Sequence, residues 1–129
     1  FNHNLETVPE LYAKVRPGSD YKHSLSLLKE FKEYNPHIKS KSGIMLGIGE
    51  NEKQVIRVLN DLHTNKVDMI TLGQYLQPSK YHLAVEEYIP LEQFQKYKEI
   101  ALEIGFYSVA SAPMVRSSYH ADLQSNNNF

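Results

Sequence analysis

The sequence predicts an α/β domain built on a parallel sheet, and three observations carry that prediction. Short apolar runs of strand length occur in "KSGIMLGIGE", "VDMITLG" and "FYSVASAP". Segments with apolar residues at helical spacing separate them. Each run passes into a glycine-rich or polar loop. Strands alternating with helices of roughly 12 to 15 residues imply βαβ units with right-handed crossovers. Three strands are clear, and "FNHN" reads as the stump of a fourth. That is few for a closed barrel, so part of a barrel or a small open sheet is expected.

The elements follow in order. Thr7 and Glu10 have the spacing of a capping box, and Val8, Leu11, Tyr12 and Val15 repeat at helical intervals, which predicts a short helix over about residues 8–15. "RPGSD" breaks it. From Tyr21 to Tyr34, Leu27, Leu28, Phe31 and Tyr34 fall on one side and lysines and glutamates on the other, as in a helix lying on a sheet. Residues 35–40 turn the chain back. "KSGIMLGIGE" is strand then loop, and Asn51 precedes a helix with Val55, Val58, Leu59 and Leu62 on its apolar face. "VDMITLG" is the next strand. "QYLQPSKYHLAVEEYIP" follows, a long stretch with little regular pattern. A helix then places Phe94, Tyr97, Ala101 and Ile104 on one face, closed by Gly105. "FYSVASAP" is the last strand and leads into "MVRSSYH".

Bulk properties exclude several classes. The 129 residues suffice for one domain with a buried core. Lys plus Arg is 14 against 15 for Asp plus Glu, so no charge excess points to nucleic acid or an anionic membrane. Apolar content of 41% suits a globular fold. No apolar run approaches the roughly 18 residues of a membrane-spanning helix. "FNHNLETVPE" has neither the basic start nor the apolar stretch of a signal peptide and lacks an initial Met, so it reads as the middle of something longer. With no cysteine, the chain has no disulfide, thiolate metal ligand or cysteine nucleophile. "QSNNNF" at the end reads as a frayed tail.

Parallel α/β folds bind ligands where the strands end. "FNHNLE", "GIGE", "GQYLQPS" and "APMVRSSYH" all fall there, so four loops on one rim form the candidate site. Glycines such as those in "GIGE" more often serve a tight turn than a nucleotide, and they lack both the dinucleotide and the P-loop spacing. Glu50 opens the following helix, where its charge suits the helix dipole. Asn4 and Glu6 share a side if the segment is extended, and an amide with a carboxylate can hold a ribose diol. Equally, Asn4 can shape a turn and Glu6 flank a cap. Arg16 can hold a carboxylate or simply complement a helix end. The six histidines show no metal-ligand spacing. In "VRSSYH" either serine can cap a helix, and a serine oxygen can also serve as a weak metal ligand.

In order along the chain, "FNHNLETVPELYAKVRPGSDY", "SLSLLKEFKE", "KSGIMLGIGE", "DMITLGQYLQPS", "HLAVEEYIPLEQF" and "GFYSVASAPMVRSSYHADL" resemble the C-terminal part of lipoyl synthases, a radical S-adenosylmethionine family. Biotin synthases share something like "NHNL" and the "GxGE" turn, but not "QYLQPS" or "VRSSYH". The resemblance implies a partial (β/α)6, TIM-like barrel binding S-adenosylmethionine at its strand ends. Residues 1–115 would belong to that barrel and residues 116–129 to an extension carrying "RSSY". It also implies an enzyme that uses a 5′-deoxyadenosyl radical to insert sulfur at carbons 6 and 8 of an octanoyl chain. Two [4Fe–4S] clusters are implied, one generating the radical and one, held by three cysteines and a serine, consumed as the sulfur source. Implied partners are octanoylated lipoyl domains of 2-oxoacid dehydrogenase complexes, the glycine-cleavage H protein, and an electron donor such as flavodoxin or ferredoxin. The location would be cytoplasmic in a bacterium and mitochondrial or plastid in a eukaryote.

Carried over by position, Asn4 and Glu6 correspond to ribose contacts, Arg16 to a contact with the methionine carboxylate, Gly47 and Glu50 to the loop beside the adenosyl group, and Gln74, Tyr75 and Leu76 to the adenine side. Ser118 corresponds to the cluster ligand, with Arg116 and Ser117 as its setting. No catalytic residue falls within the chain. The sequence departs from the family in lacking both cysteine motifs and in having Ala112 where glycine is expected before Pro113. The chain alone is therefore expected to be inactive, as a piece of a longer enzyme rather than half of a split one. A different expectation is a standalone, non-catalytic module that binds an adenosyl group or a lipoyl domain.

Overall fold

The computed structural model of the chain describes residues 1–115. A 3₁₀ turn, Pro9–Leu11, runs into helix α1, Tyr12–Val15, and then come α2, Tyr21–Tyr34, and strand β1, Lys41–Leu46. Helix α3, Glu52–Thr64, strand β2, Met69–Gln74, helix α4, Leu91–Ile104, and strand β3, Ser108–Ser111, complete the order. The strands pair in parallel as β1-β2-β3, with Ile44 opposite Leu72 and Leu72 opposite Ser111. Residues 1–6 run parallel along the free edge of β1 through bridges Asn2–Lys41 and Glu6–Ile44, which accounts for the strand stump. The α/β class and the parallel sheet of the sequence reading are both present.

Strand order follows chain order, so right-handed crossovers place α2, α3 and α4 on one face of the sheet. Side chains alternate across a strand. Ile44, Leu46, Ile70 and Leu72 are buried with Leu28, Val55, Leu59, Phe94 and Ala101 from the helices. The opposite face carries Gly43, Met45, Met69, Thr71, Gly73 and Ala110, of which Met45, Met69, Thr71 and Ala110 are partly exposed.

The start of the first helix differs from the prediction. Val8, not Thr7, is the N-cap, no side chain caps it, and the first turn is 3₁₀. Pro9 is the reason: its fixed φ and missing N–H suit the first helical position, which puts the cap one residue later than a Thr7–Glu10 box requires. The Thr7 hydroxyl is buried without a hydrogen-bond partner among the described residues, and Glu10 pairs with Arg57 instead.

Helix α2 has the predicted bounds but a rotated apolar stripe: Ser24, Leu25 and Leu28 are buried, while Leu27 and Tyr34 are exposed. Tyr21 fixes that rotation by donating its hydroxyl to Asp61 on α3 at 2.7 Å. Burial and the Asp61 carboxylate both push the Tyr21 phenol up. Asp20 caps the helix through the Lys22 and His23 N–H groups. Phe31, at the far end of the stripe, stacks on Phe1 at 4.0 Å and ties the edge segment to the helix layer.

At the opposite end of the sheet from the loops of interest, one Asp68 carboxylate oxygen accepts from Lys32 at 2.7 Å and from the Ser40 N–H at 2.8 Å. Burial alone would raise this carboxyl, but Lys32, the Ser40 N–H and Lys39 outweigh it, so the folded pKa lies below the ordinary value. A depressed folded pKa adds stability that is complete above the unfolded pKa and is lost as pH falls through the folded one. Asp68→Asn is therefore expected to cost about 1–3 kcal/mol near neutral pH. In urea titrations the gap between the two proteins should close below about pH 4, near the unfolded aspartate pKa. A gap that persists unchanged to about pH 2, well below that pKa, would contradict the assignment.

Candidate functional site

The C-terminal strand ends form one continuous rim. Beyond the last paired residues the backbone keeps bonding sideways: the Tyr75 N–H donates to Leu46 O at 2.8 Å, and the Gln74 N–H to Pro113 O at 3.1 Å. At the edge, the Glu6 N–H donates to Gly43 O and the Met45 N–H to Glu6 O. Glu6, the Gly47 loop, Gln74 and the turn at Ala112–Pro113 are thus laid side by side.

The edge segment is not uniformly extended. Asn2 bridges to Lys41 and Glu6 to Ile44, so the edge takes one more step along the chain than β1 does, and Glu6 has φ 74°. The condition for Asn4 and Glu6 to project from one side is therefore not met. They stay neighbours through the shape of a bulge, which re-aims side chains at the end of a strand. The Ser42 hydroxyl fills the gap by accepting from the Leu5 N–H at 3.2 Å. Arg16 closes over this bulge, its Nη1 donating to Asn4 O at 3.2 Å and Leu5 O at 3.3 Å, with its guanidinium over the Tyr12 ring. Tyr12 donates to Leu5 O at 2.6 Å. Arg16 is thereby fastened to the backbone of Asn4 and Leu5, next in the chain to Glu6.

His3 sits beside them. Its Nε2 is buried without a hydrogen-bond partner among the described residues. Burial first, then the charges of Arg16 and His23, push its imidazole below the usual histidine value, so it is neutral at pH 7. Neither Tyr12 nor His3 stood out in the sequence as part of a site. Tyr12 had the spacing of a core residue, and His3 has no partner at metal-ligand spacing.

The glycine loop is closed on itself. Both Glu50 carboxylate oxygens turn back, one accepting from the Gly47 N–H at 2.9 Å and the other from the Ile48 N–H at 3.0 Å. The helix is capped by Asn51 in a reciprocal box with Gln54, so Glu50 lies just outside the helix and serves the loop rather than the dipole. These N–H groups are engaged by an internal carboxylate, which leaves no phosphate cradle at Gly47 and Ile48.

Gln74 ends β2 and is 6% exposed. Its Nε2 donates to Tyr75 O and Glu87 O, both at 3.0 Å, and its Oε1 accepts from the Ile89 N–H at 2.9 Å. Tyr75 donates its hydroxyl to Leu83 O at 2.7 Å, and Leu76 is 45% exposed. Two shallow depressions on the outer faces of α2 and α4 lie away from this rim. Arg116, Ser117 and Ser118 lie outside the described residues.

No family model matches the chain. Among curated proteins, a lipoyl synthase of Ruthia magnifica is 70% identical over 124 residues, 96% of this chain and 39% of that protein. The similarity is to a C-terminal part of lipoyl synthase. Lipoyl synthases of Vesicomyosocius okutanii and Vibrio cholerae are 68% and 60% identical over the same share. The chain thus spans about two fifths of the length of these lipoyl synthases, 39% in each. Its three parallel strands with helices on one face agree with part of a radical S-adenosylmethionine barrel.

Proposed function

We propose that the chain is the C-terminal part of a lipoyl synthase, in which residues 1–115 complete the barrel and residues 116–129 form an extension. The observation that carries this reading is identity of 70% across 96% of the chain with a protein of that name. The open sheet supports it over a self-contained module. Among the described residues no further strand pairs along the outer edge of residues 1–6 or of β3.

The donor chemistry of the rim fits S-adenosylmethionine at the edge strand. Asn4 with the Glu6 carboxylate suits a vicinal diol, and the Arg16 guanidinium suits an α-carboxylate. When bound, that cofactor would supply the radical chemistry that activates unreactive carbons. Arg16 would also hold the bulge in shape through Asn4 O and Leu5 O, so it both positions and binds. Tyr75 and Leu76 would flank the adenine side. An iron–sulfur cluster does not fit this chain alone: it has no cysteine, and no group of three His, Asp or Glu among the described residues could hold a metal. Ser118 would contribute one oxygen ligand beside cysteines from the rest of the enzyme. The longer protein would insert two sulfur atoms into a carrier-bound octanoyl chain. Its substrates would be octanoylated lipoyl domains or the H protein, its reductant flavodoxin or ferredoxin.

The test joins this chain to the cysteine-bearing part of a lipoyl synthase, reconstitutes it anaerobically with iron and sulfide, and follows octanoyl-to-lipoyl conversion on a lipoyl domain. Conversion is expected from the joined protein, with Ser118→Ala lowering it at least about tenfold while S-adenosylmethionine cleavage continues. A joined, cluster-loaded protein that makes no lipoyl group overturns the reading. Undiminished conversion by Ser118→Ala overturns the ligand assignment alone.

A further inference from the structure

The segment between β2 and α4, residues 75–90, contains neither helix nor strand, and a structureless loop of such length is uncommon unless it serves a function. Most of the segment is exposed, and a loop held only by its ends would move freely. This one is fastened. Its far end folds back onto the rim, where Gly47 O accepts from the Glu86 N–H at 2.8 Å and the Glu87 N–H at 3.2 Å. Gln74 grips the same stretch from the next strand, donating to Glu87 O and accepting from Ile89 N. A Cβ on Gly47 would lie 2.3 Å from Glu87 O and 2.4 Å from Gln74 Nε2, so strand end, strap and amide are in direct contact.

We infer that Gln74 is a positioning residue that straps residues 75–90 across the strand ends, rather than a side chain that contacts a cofactor. A primary amide has two N–H donors, and both are taken by backbone carbonyls of the strap. A base would have to compete with those bonds in a buried site, where leaving a polar group unpaired is costly. The donor–acceptor pattern also explains the residue type. An amide donates to Glu87 O while accepting from the Ile89 N–H, which an ionised glutamate cannot do. That the strap walls a cofactor site rests on the reading above, but Gln74 holding it does not.

The test is hydrogen exchange on the full-length protein carrying this chain, with no cofactor added, in native, Gln74→Leu and Gln74→Glu forms. Amide protection of Glu86, Glu87 and Ile89 should fall at least about tenfold in both variants at pH 7.5, with Ile70 and Leu72 retaining theirs. Lowering the pH to about 5 neutralises a buried glutamic acid, whose pKa burial raises, and restores one donor. Protection corrected for the intrinsic rate should then recover in Gln74→Glu but not in Gln74→Leu. Native protein at both pH values controls for Glu50, Glu86 and Glu87, the carboxylates on the elements packed around this amide. Unchanged strap protection overturns the inference, and so does equal loss in β2 and strap, which would make Gln74 a general core residue. If Gln74→Leu fails to fold, the pH recovery of Gln74→Glu decides alone, and its absence overturns the inference. Neither outcome depends on lipoyl synthase activity.

Discussion

Gly47→Ala is expected to lower stability by about 3 kcal/mol, combining the cost of left-handed backbone with overpacking. Gly47 has φ 99°, where a Cβ is strained whatever the space around it. The space is also absent, with Glu87 O at 2.3 Å and Gln74 Nε2 at 2.4 Å from the added atom. Glu87 O belongs to backbone, so the clash is not relieved by turning a side chain. The strap must lift, breaking the two bonds to Gly47 O and the Gln74 bond to Glu87 O. A urea midpoint shift worth less than about 1 kcal/mol would show that the strap is loose enough to yield, against the tight contact at Gly47. Gly49 is the internal comparison. It also has positive φ, at 123°, but the nearest atom to its added Cβ is the flexible Glu86 Cγ at 3.9 Å. Gly49→Ala should therefore carry the backbone cost of about 1–3 kcal/mol without the clash.

This contrast bears on what the sequence could reveal. "GIGE" shows two glycines and a glutamate, and the periodicity around it correctly implies strand, loop and helix. Nothing local indicates that Gly47 is pinned from outside by Glu87, or that Glu50 turns back upon Gly47 and Ile48. The first depends on a contact between distant parts of the chain and the second on loop closure. The same limit explains α2. Leu27, Leu28, Phe31 and Tyr34 form a plausible stripe, and so do Tyr21, Ser24, Leu25, Leu28 and Phe31. Apolar count favours neither strongly. The bond from Tyr21 to Asp61, a partner on another element, selects the second, whereas Phe31, stacked on Phe1, belongs to both.

What was legible was whatever depends on short range. The bounds of α2, the Asn51 start of α3 and the Gly105 end of α4 follow from caps and periods within a few residues. Thr7 failed as a cap because Pro9, also local, carries a stronger constraint than a capping-box spacing. For the site, order along the chain put the segments carrying Asn4, Glu6, Gly47, Gln74 and Tyr75 at neighbouring strand ends, and the parallel sheet in chain order sets those ends side by side. The engagement of each side chain was not legible. Gln74 has the same letters around it whether it faces a ligand or holds a strap, and only its three hydrogen bonds separate the two.

Phe94→Ala is expected to destabilise the protein by about 3–5 kcal/mol, the range for truncating a buried aromatic without refilling its volume. Phe94 is 1% exposed and belongs to the core between α4 and the sheet. Its backbone carbonyl also accepts the Ser111 hydroxyl at 2.7 Å, so the residue anchors β3 to α4 by packing and by a hydrogen bond together. Strand β3 has few other supports. It is short, Ser108–Ser111, and among the described residues it pairs with β2 alone. So short an edge strand depends on the helix packed against it, and loss of the ring should loosen β3 before β1 or β2. Hydrogen exchange should show Val109 and Ala110 losing protection first, with Ile44 and Leu72 falling only at global unfolding. Phe94→Leu, which refills most of the volume, should recover more than half of the loss. Equal loosening of β1 and β3 in Phe94→Ala would mean that the sheet opens as a unit. Because β3 leads through Ala112 and Pro113 toward Ser118, the same substitution should impair any role of that serine without touching it, whereas a fault confined to Ser118 would leave β3 protected.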